Sequence, residues 1–279
     1  MCFVRGACGL EGGQLYWRGR EVGLAGAYKS GPLARQVSVV VPVLDEEGNL
    51  APLVTRLRGA LEKAGIEDWE AIFVLDGCGD GSLSELLVER QEDGRVKILE
   101  LAAGIGQHAA LAEGLRRATG EFIVTLDADL QNPPEEVPLV VHRLVGGCEA
   151  VGTIRRSRQD RLMRSLGSRF FAVTLKRLGI RHPMADPGCM LRGWHRSVVE
   201  CFLTSGEPAV YLPTQINRHA DRYEEFEVRH EPRRHGVSRY SPLRLARLFA
   251  RTVVAEFNPR RVPIPEVCVA AEHGVDKDE

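Results

Sequence analysis

The hydrophobic pattern of the chain alternates between strand and helix periods from residue 37 onwards. Val37–Val43 is a continuous β-branched run of the kind that is buried on both faces of a parallel sheet. Residues 49–63 follow with apolar side chains at helical spacing, and residues 71–75 return to a strand pattern, so this segment predicts a βαβ unit. Further helices are predicted at 82–92, 107–118 and 134–144, and further strands at 96–101, 122–126 and 149–154.

Strands that are separated by helices predict an α/β fold. We expect a doubly wound, mostly parallel sheet that is flanked by helices and binds its ligands beyond the carboxyl ends of the strands. Residues 1–36 contain eight glycines and no sustained period, which predicts a flexible leader with weak order around Leu15, Tyr16 and Trp17. The main domain is expected at 37–252, and residues 253–279 are expected to form a frayed tail that contains prolines and then acidic residues.

Two segments near the C-terminus are strongly basic. Residues 155–181 hold eight arginines and one lysine against the single acid Asp160, with apolar residues at helical spacing. This pattern predicts a basic amphipathic helix, which either packs on the core through its apolar stripe or lies on an anionic lipid surface. A second basic block spans residues 229–251.

Composition and charge narrow the class of protein. The chain carries 37 basic and 38 acidic residues and 44% hydrophobic residues, which indicates a folded protein and gives no global sign of nucleic-acid binding. Seven cysteines without a CxxC pair argue against a zinc site or a disulfide scaffold. The first residues lack the apolar core of a signal peptide, so we expect the protein to stay in the reducing cytoplasm. No window approaches the roughly 18 apolar residues of a membrane span, so any membrane contact is expected to be peripheral.

The strongest candidate for chemistry is the segment VTLDADLQNPPEE. Asp127 and Asp129 stand directly after a predicted strand and before a helix that begins with proline. Two carboxylates in this position, expected in a solvated cleft, suit a hard divalent cation such as Mg²⁺ or Mn²⁺. The alternative is that an aspartate caps the following helix. The position at a strand end and the presence of Gln131 favour the metal site.

A resemblance to a known family rests on motifs across residues 37–249. The motifs are VSVVVPVLDEEGNL, LDGCGDGS, GIGQHAALAEGL, VTLDADLQNPPEE, VGTIRRSRQD, DPGCMLRGWHR and HGVSRYS. In this order they resemble family 2 glycosyltransferases that act on polyprenyl phosphates, in particular undecaprenyl-phosphate 4-deoxy-4-formamido-L-arabinose transferases and dolichyl-phosphate mannosyltransferases. The resemblance implies a GT-A-like fold and a metal-dependent, inverting transfer of a sugar, with UDP as the expected nucleotide, to a polyprenyl phosphate.

The resemblance also implies a donor site and a metal site. It assigns the nucleotide-sugar to five residues, namely Pro42, Glu46, Glu47, Asp76 and Asp127. Among these, Asp76 contacts the nucleotide, and Asp127 lies near the sugar and the phosphates. Asp129 and Gln131 match the metal ligands of the family.

The acceptor side and the phosphates are assigned to basic residues. Arg155 and Arg158 match the start of the acceptor-side segment of the family, and Arg192 and Arg239 match positions near phosphates. Arginine suits this role because its planar guanidinium grips a phosphate at two points. The resemblance therefore implies that Asp127, Arg192 and Arg239 act in catalysis, and that Arg239 also contacts the acceptor phosphate.

Several positions depart from the family pattern. Leu75 and Cys78 replace an aspartate and a serine of the family pattern, so one nucleotide contact is expected to be missing. The substitution Leu75→Asp would restore that aspartate. Asp45 replaces an asparagine, and Ala103 and Gly104 replace an Arg-Asn pair. The related enzymes carry two C-terminal membrane helices, whereas this chain stops about thirty residues after Phe249. We therefore expect either a soluble variant of these enzymes or an enzyme that has lost its membrane anchor.

Two other functions stay open at this point. The enzyme could transfer its sugar to a soluble hydroxyl acceptor, or the chain could be an inactive nucleotide-binding relative. A polyprenyl acceptor implies peripheral binding to an anionic membrane surface, on the inner face of the cytoplasmic membrane. For His108 and Cys189, packing roles are favoured over chemical ones.

Overall fold

The computed structural model describes residues 8–11, 14–17, 20–22, 36–156, 181–182, 184–232, 250–252, 254, 262 and 265–274. Most of the predicted basic helix at 155–181 and most of the second basic block therefore lie outside the described residues. Arg158 and Arg239 belong to these segments.

The described residues form two sheets. Three short strands, β1 (Cys8–Glu11), β2 (Gln14–Trp17) and β3 (Arg20–Val22), pair in antiparallel order. The central sheet has eight strands, which are β4 (Val37–Val43), β5 (Trp69–Asp76), β6 (Val96–Leu101), β7 (Phe122–Thr125), β8 (Ala150–Arg155), β9 (Arg192–His195), β10 (Tyr223–Val228) and β11 (Val269–His273).

The central sheet confirms the predicted fold class. Its strand order is β10-β8-β9-β7-β4-β5-β6-β11. Pairing is parallel between β4 and its neighbours β5 and β7, between β5 and β6, and between β8 and β10, whereas β9 and β11 pair antiparallel. The protein is thus an α/β fold with a mostly parallel sheet, because helices connect the parallel strands.

The helices lie between the strands, as the alternating pattern predicted. They are α1 (Leu50–Lys63), α2 (Ser82–Glu92), α3 (Gln107–Arg117), α4 (Val137–Val145), α5 (Arg196–Thr204) and α6 (Leu212–Asn217), with a 3-10 turn at Pro134–Glu136 before α4. The predicted ends of the first four helices agree with the structure to within a few residues.

Two hydrophobic clusters cover opposite faces of the sheet. In β5, Phe73 and Leu75 belong to one cluster, whereas Ile72 and Val74 belong to the other, since successive side chains of a strand point to opposite faces. Helix α3 packs closely on the second face at Gly114, where a Cβ atom would lie 2.4 Å from a methyl carbon of Val40. The sheet is therefore a rigid base for the loops at its edges.

Strands occur at both ends of the chain, where the sequence predicted a flexible leader and a frayed tail. The leader contains the three-stranded antiparallel sheet around Leu15, Tyr16 and Trp17, where only weak order was expected. The tail contains β11, which pairs with β6 and closes that edge of the sheet. The backbone of β6 supplies the hydrogen-bonding partners that a five-residue strand lacks on its own.

A buried ionic cluster ties the amino-terminal ends of the strands together. Glu70, at 2% exposure, accepts hydrogen bonds from the hydroxyl of Ser38 and from the backbone N–H of Thr119 (2.6 Å), and it pairs with Lys97 at 2.8 Å. Burial on its own raises the pKa of Glu70, but the hydrogen bonds from Lys97, Ser38 and Thr119 outweigh it and hold the pKa below its usual range.

Glu70→Gln is therefore expected to lower the free energy of unfolding by about 3 kcal/mol at pH 7, because it removes the carboxylate that pairs with Lys97 at 2.8 Å. A carboxyl whose pKa is lowered in the folded state stabilises the protein above its unfolded pKa, and this contribution is lost as the pH falls through the folded value. Urea denaturation should thus show the variant and the parent converging towards acidic pH. Glu92→Gln, on the exposed end of α2, is the control, and a difference that is independent of pH would contradict the assignment.

Candidate active site

The carboxyl ends of the parallel strands meet at one edge of the central sheet. Strands β4, β5, β6 and β7 end there, and the antiparallel β9 begins there because Arg192 pairs with Thr125. Strands β8 and β10 end at the same edge. The described residues to which the sequence assigned chemistry lie at these strand ends or in the segments that follow them. In open α/β sheets this edge is where ligands bind.

The loop after β4 is tied to the loop after β5. Glu46 donates its N–H to the hydroxyl of Ser82 (3.0 Å), and its carboxylate accepts from Asn49 (2.7 Å). The carboxylate of Glu47 accepts from the N–H of Gly81 (3.1 Å). Pro42 lies in β4, paired with Val74 of β5. The two predicted donor-binding glutamates therefore also have a structural task, since they hold two loops together.

Three polar groups gather at the junction of these loops. Asp45, Cys78 and Asp80 each place one potential ligand atom within 4.8 Å of the others. Asp45 accepts from the N–H of Gly79 (2.7 Å), and burial together with the nearby Asp80 and Asp45 carboxylates raises the pKa of the Cys78 thiol. Asp45 and Cys78 depart from the family pattern, but they are 33 positions apart, so the sequence gave no sign that they meet.

Asp76 fixes the start of helix α3. Its carboxylate is buried and accepts from the backbone N–H groups of Ile105 (2.6 Å) and Gly106 (3.0 Å). The next residue, Gly77, has φ of 72°, and a Cβ atom there would lie 2.6 Å from the backbone nitrogen of Gly104. Glycine is required at position 77 because the two loops approach so closely. The residue that was expected to contact the nucleotide thus also shapes the loop before α3.

The two aspartates of the DADLQ segment differ in their surroundings. Asp127 is partly exposed, and its Oδ1 atom accepts from the side-chain amide of Gln107 at 2.9 Å. Asp129 is only 6% exposed, and its Oδ1 atom accepts from the backbone N–H of Gln131 at 3.1 Å. The sequence predicted a solvated cleft around Asp129, whereas this residue is buried in the structure, and the next residue, Leu130, has a φ of 60°.

The donor set of this segment fits a hard divalent cation. A carboxylate oxygen from Asp129 and an amide oxygen from Gln131 are the kinds of ligand that Mg²⁺ and Mn²⁺ prefer, and such ions fill their other positions with water and phosphate oxygens. The hydrogen bond from the backbone N–H of Gln131 to the Asp129 carboxylate keeps the two residues on one short turn. The alternative, that an aspartate caps the following helix, does not match the structure. The N-cap residues of the 3-10 turn and of α4 are Pro133 and Glu136, and neither N-terminus has a side-chain cap.

The predicted acceptor residue Arg155 is held by a carboxylate. Its guanidinium makes two hydrogen bonds to Asp186, at 2.8 and 3.0 Å, and both side chains are about nine-tenths buried. This fork geometry gives a strong charge-assisted pair. Asp186 therefore balances the charge of Arg155 and fixes the loop that leads to Cys189.

Arg192 lies inside the protein. At 0% exposure, its guanidinium donates to the backbone oxygens of Cys189 (2.8 Å) and Asp186 (2.7 Å) and contacts the hydroxyl of Tyr223 (3.4 Å). The resemblance to the family placed Arg192 near a phosphate. In this structure it holds the 186–192 loop in place.

The buried groups Cys189 and His108 have packing roles, as the sequence analysis favoured. Cys189 contacts the hydroxyl of Thr153 at 3.0 Å, and burial raises the pKa of its thiol. The ring of His108 lies edge-on to Tyr211 with centroids 5.0 Å apart. Burial lowers the pKa of His108 to about 4, so the imidazole is neutral at pH 7.

The segment that leaves β10 is fastened to the DADLQ segment. The N–H of Glu231 donates to the backbone oxygen of Gln131 (2.8 Å), and its carboxylate pairs with Arg56 of α1 (3.1 Å). Arg229 pairs with the buried Glu136 at 2.6 Å. These contacts join residues that are 93 to 175 positions apart, and the sequence showed only that residues 229–251 are rich in arginine.

Together, a mostly parallel sheet and acidic loops at its carboxyl edge define a GT-A-like domain. The match to the model of the family described as glycosyl transferase family 2 covers residues 38–203. The chain belongs to this family.

Similar proteins agree with this assignment. The chain is 41% identical over 216 residues to the undecaprenyl-phosphate 4-deoxy-4-formamido-L-arabinose transferase of Pectobacterium atrosepticum and 38% identical to that of Salmonella paratyphi A. Each match covers 77% of this chain and 65% of the relative, so the chain spans about two thirds of the length of these relatives.

Solved structures show the same fold. Glucosyl-3-phosphoglycerate synthase from Mycobacterium tuberculosis, in complex with Mn²⁺, UDP and glucosyl-3-phosphoglycerate, matches with a TM-score of 0.58 at 18% identity. The match covers 87% of this chain and 84% of that protein. Within the residues that the structure describes, no helix combines the length and the apolar character that a membrane span needs.

Proposed function

We propose that the protein transfers a sugar from a UDP-linked donor to a polyprenyl phosphate, with inversion at the sugar carbon and with Mg²⁺ or Mn²⁺ as cofactor. The observation that carries the proposal is the meeting of Asp76, Asp127 and the Asp129–Gln131 turn at one edge of the sheet. The names of the relatives, which share about two fifths of their residues with this chain, support the lipid-phosphate acceptor.

On the donor side, the nucleotide is proposed to lie along the loops that follow β4 and β5. Glu46, Glu47 and Asp76 line these loops, and their carboxylates already hold backbone N–H groups or a neighbouring side chain in place. Such preorganisation suits a site that binds without rearranging. The solved structure with UDP and Mn²⁺ bound supports UDP as the nucleotide.

Asp129 and Gln131 are proposed to hold the metal ion. When bound, a divalent cation neutralises the negative charge that develops on the departing diphosphate. Asp129 contributes a charged oxygen and Gln131 a neutral one, while Asp127 orients the donor sugar. The backbone N–H of Glu231 donates to the backbone oxygen of Gln131, which joins this turn to the start of the second basic block.

On the acceptor side, Arg158 and Arg239 are proposed to bind the lipid phosphate. Arg155 supports them by anchoring the start of the basic segment to Asp186, and Arg192 supports the adjoining loop from inside. A phosphomonoester is largely ionised at pH 7, because its second pKa is about 6, so it attacks the sugar carbon without a strong protein base. The basic segments are proposed to hold the enzyme on the inner face of the cytoplasmic membrane.

Titration calorimetry with UDP and with GDP, each with and without Mn²⁺, tests the donor and the metal. UDP is expected to bind at least roughly tenfold more tightly with Mn²⁺ than without it, and more tightly than GDP, since a charge-assisted contact is worth about 1.5 to 3 kcal/mol. Failure to bind UDP under either condition would favour the inactive nucleotide-binding relative.

The acceptor arm of this test uses liposomes of anionic lipid that contain undecaprenyl phosphate. With UDP-glucose or UDP-4-deoxy-4-formamido-L-arabinose that is radiolabelled in the sugar, the label is expected in the lipid extract, and salt is expected to weaken binding to the liposomes. Label that stays in a water-soluble product, with the protein free of the liposomes at low salt, would favour the soluble acceptor instead.

A further inference from the structure

Gln107 connects two of the acidic motifs at the carboxyl edge of the sheet. It is the first residue of α3, it is partly exposed, and its Nε2 atom donates to Oδ1 of Asp127 across 2.9 Å. The two residues are 20 positions apart: Gln107 begins α3, and Asp127 lies in the segment that follows β7. The family resemblance gave Gln107 no role, and no other step of the proposed reaction uses it.

The backbone of Gln107 is fixed from three sides. Asp76 accepts the N–H groups of Ile105 and Gly106 directly before it. His108, directly after it, is buried against the ring of Tyr211. Further along α3, Gly114 lets the helix pack closely on β4 and β5. A side chain that projects from such a support has little freedom, so it can hold another group in one orientation.

We propose that Gln107 is a positioning residue that fixes the orientation of the Asp127 carboxylate relative to the donor sugar. The proposal rests on the proposed function, in which Asp127 contacts that sugar. An amide suits the task because it donates a hydrogen bond to a carboxylate without adding charge beside a diphosphate. Asp76 then acts on the reaction through α3, since it fixes the helix turn that carries Gln107.

Gln107→Met tests this role, because methionine keeps the length and the helix propensity of glutamine but lacks the donor. We expect kcat to fall roughly 30-fold, as for the loss of one hydrogen bond to a charged group, while the Kd of UDP with Mn²⁺ stays within about twofold. Gln91→Met, at an exposed position of α2, is the matched control and should leave both quantities unchanged. A loss of UDP affinity equal to the loss of kcat would overturn the proposal in favour of general damage to the site.

A double-mutant cycle with Asp127→Ala, which removes the acceptor of the Gln107 amide, separates positioning from packing. If Gln107 acts through Asp127, adding Gln107→Met to Asp127→Ala lowers kcat by less than about twofold. Independent, multiplicative losses would overturn the proposal.

A second readout does not depend on turnover. In nitrogen-15 NMR spectra, the side-chain amide of Gln107 is expected to shift on Asp127→Asn, whereas the amide of Gln91 stays in place. An unchanged Gln107 signal would overturn the proposal even in an active enzyme. The wild-type calorimetry tests the proposed function separately, since a protein that fails to bind UDP while the Gln107 signal shifts retains the contact but not the function.

Discussion

Asp129→Asn is expected to lower the transfer rate roughly 1000-fold, because the proposed metal site loses a charged ligand whose effect is worth several kcal/mol. The structure makes asparagine the informative substitution. The Asp129 Oδ1 atom accepts the N–H of Gln131, and the amide oxygen of asparagine accepts the same hydrogen bond. The change therefore removes charge and keeps the turn. Rates at saturating donor, measured across a Mn²⁺ titration, provide the test.

Asp129→Ala is the companion variant. It removes the charge and also the acceptor for the Gln131 N–H, so its free energy of unfolding should fall by about 1 kcal/mol below that of the asparagine variant. If both variants lost stability equally and kept the parent rate, Asp129 would be a structural capping residue and the metal assignment would fail.

Leu75→Asp, which restores the aspartate of the family pattern, is expected to lower the free energy of unfolding by roughly 4 kcal/mol or more. Leu75 is 1% exposed and lies in the same apolar cluster as Phe73 and Leu86. A carboxylate at this position would be buried among the apolar side chains of this cluster. It points to the face opposite Asp76, because neighbouring side chains of a strand alternate. Urea denaturation measures the loss.

Leu75→Met is the control, since it conserves volume and should cost less than about 1.5 kcal/mol. Calorimetry with UDP completes the comparison. A stable aspartate variant that binds UDP more tightly than the parent would show that position 75 reaches the nucleotide and that the packing described for β5 is wrong at its end.

The order of helices and parallel strands follows from local pattern, and that part of the fold was predictable. Val37–Val43 is β-branched throughout, and α1 presents apolar residues at helical spacing, so each segment specifies its own structure. Strand β9 has only four residues, and β10 reads YEEFEV, with three glutamates. Such strands are stabilised by partners far away along the chain, and no local period shows this.

The candidate site was predictable where a residue stands at a strand end. Asp76 and Asp127 follow or close apolar strands, and their placement at one edge follows from the parallel order. The partners of the arginines were not predictable. Arg155 and Arg192 appear in the sequence as free positive charges, whereas the fold supplies Asp186 and backbone oxygens to them. Gln107 also escaped notice, because its contact with Asp127 joins two segments that are 20 positions apart and no local pattern shows that they meet.

The bond between Glu231 and Gln131 has a consequence for protein synthesis. During translation the DADLQ turn emerges about a hundred residues before the segment that fastens it. A nascent chain that has reached only the end of α5 already contains both proposed metal ligands, yet it lacks the backbone partner of Gln131 and the pairing of Arg229 with Glu136. The turn can therefore reach its complete set of contacts only late in synthesis, after the segment that contains Arg229 and Glu231 has emerged.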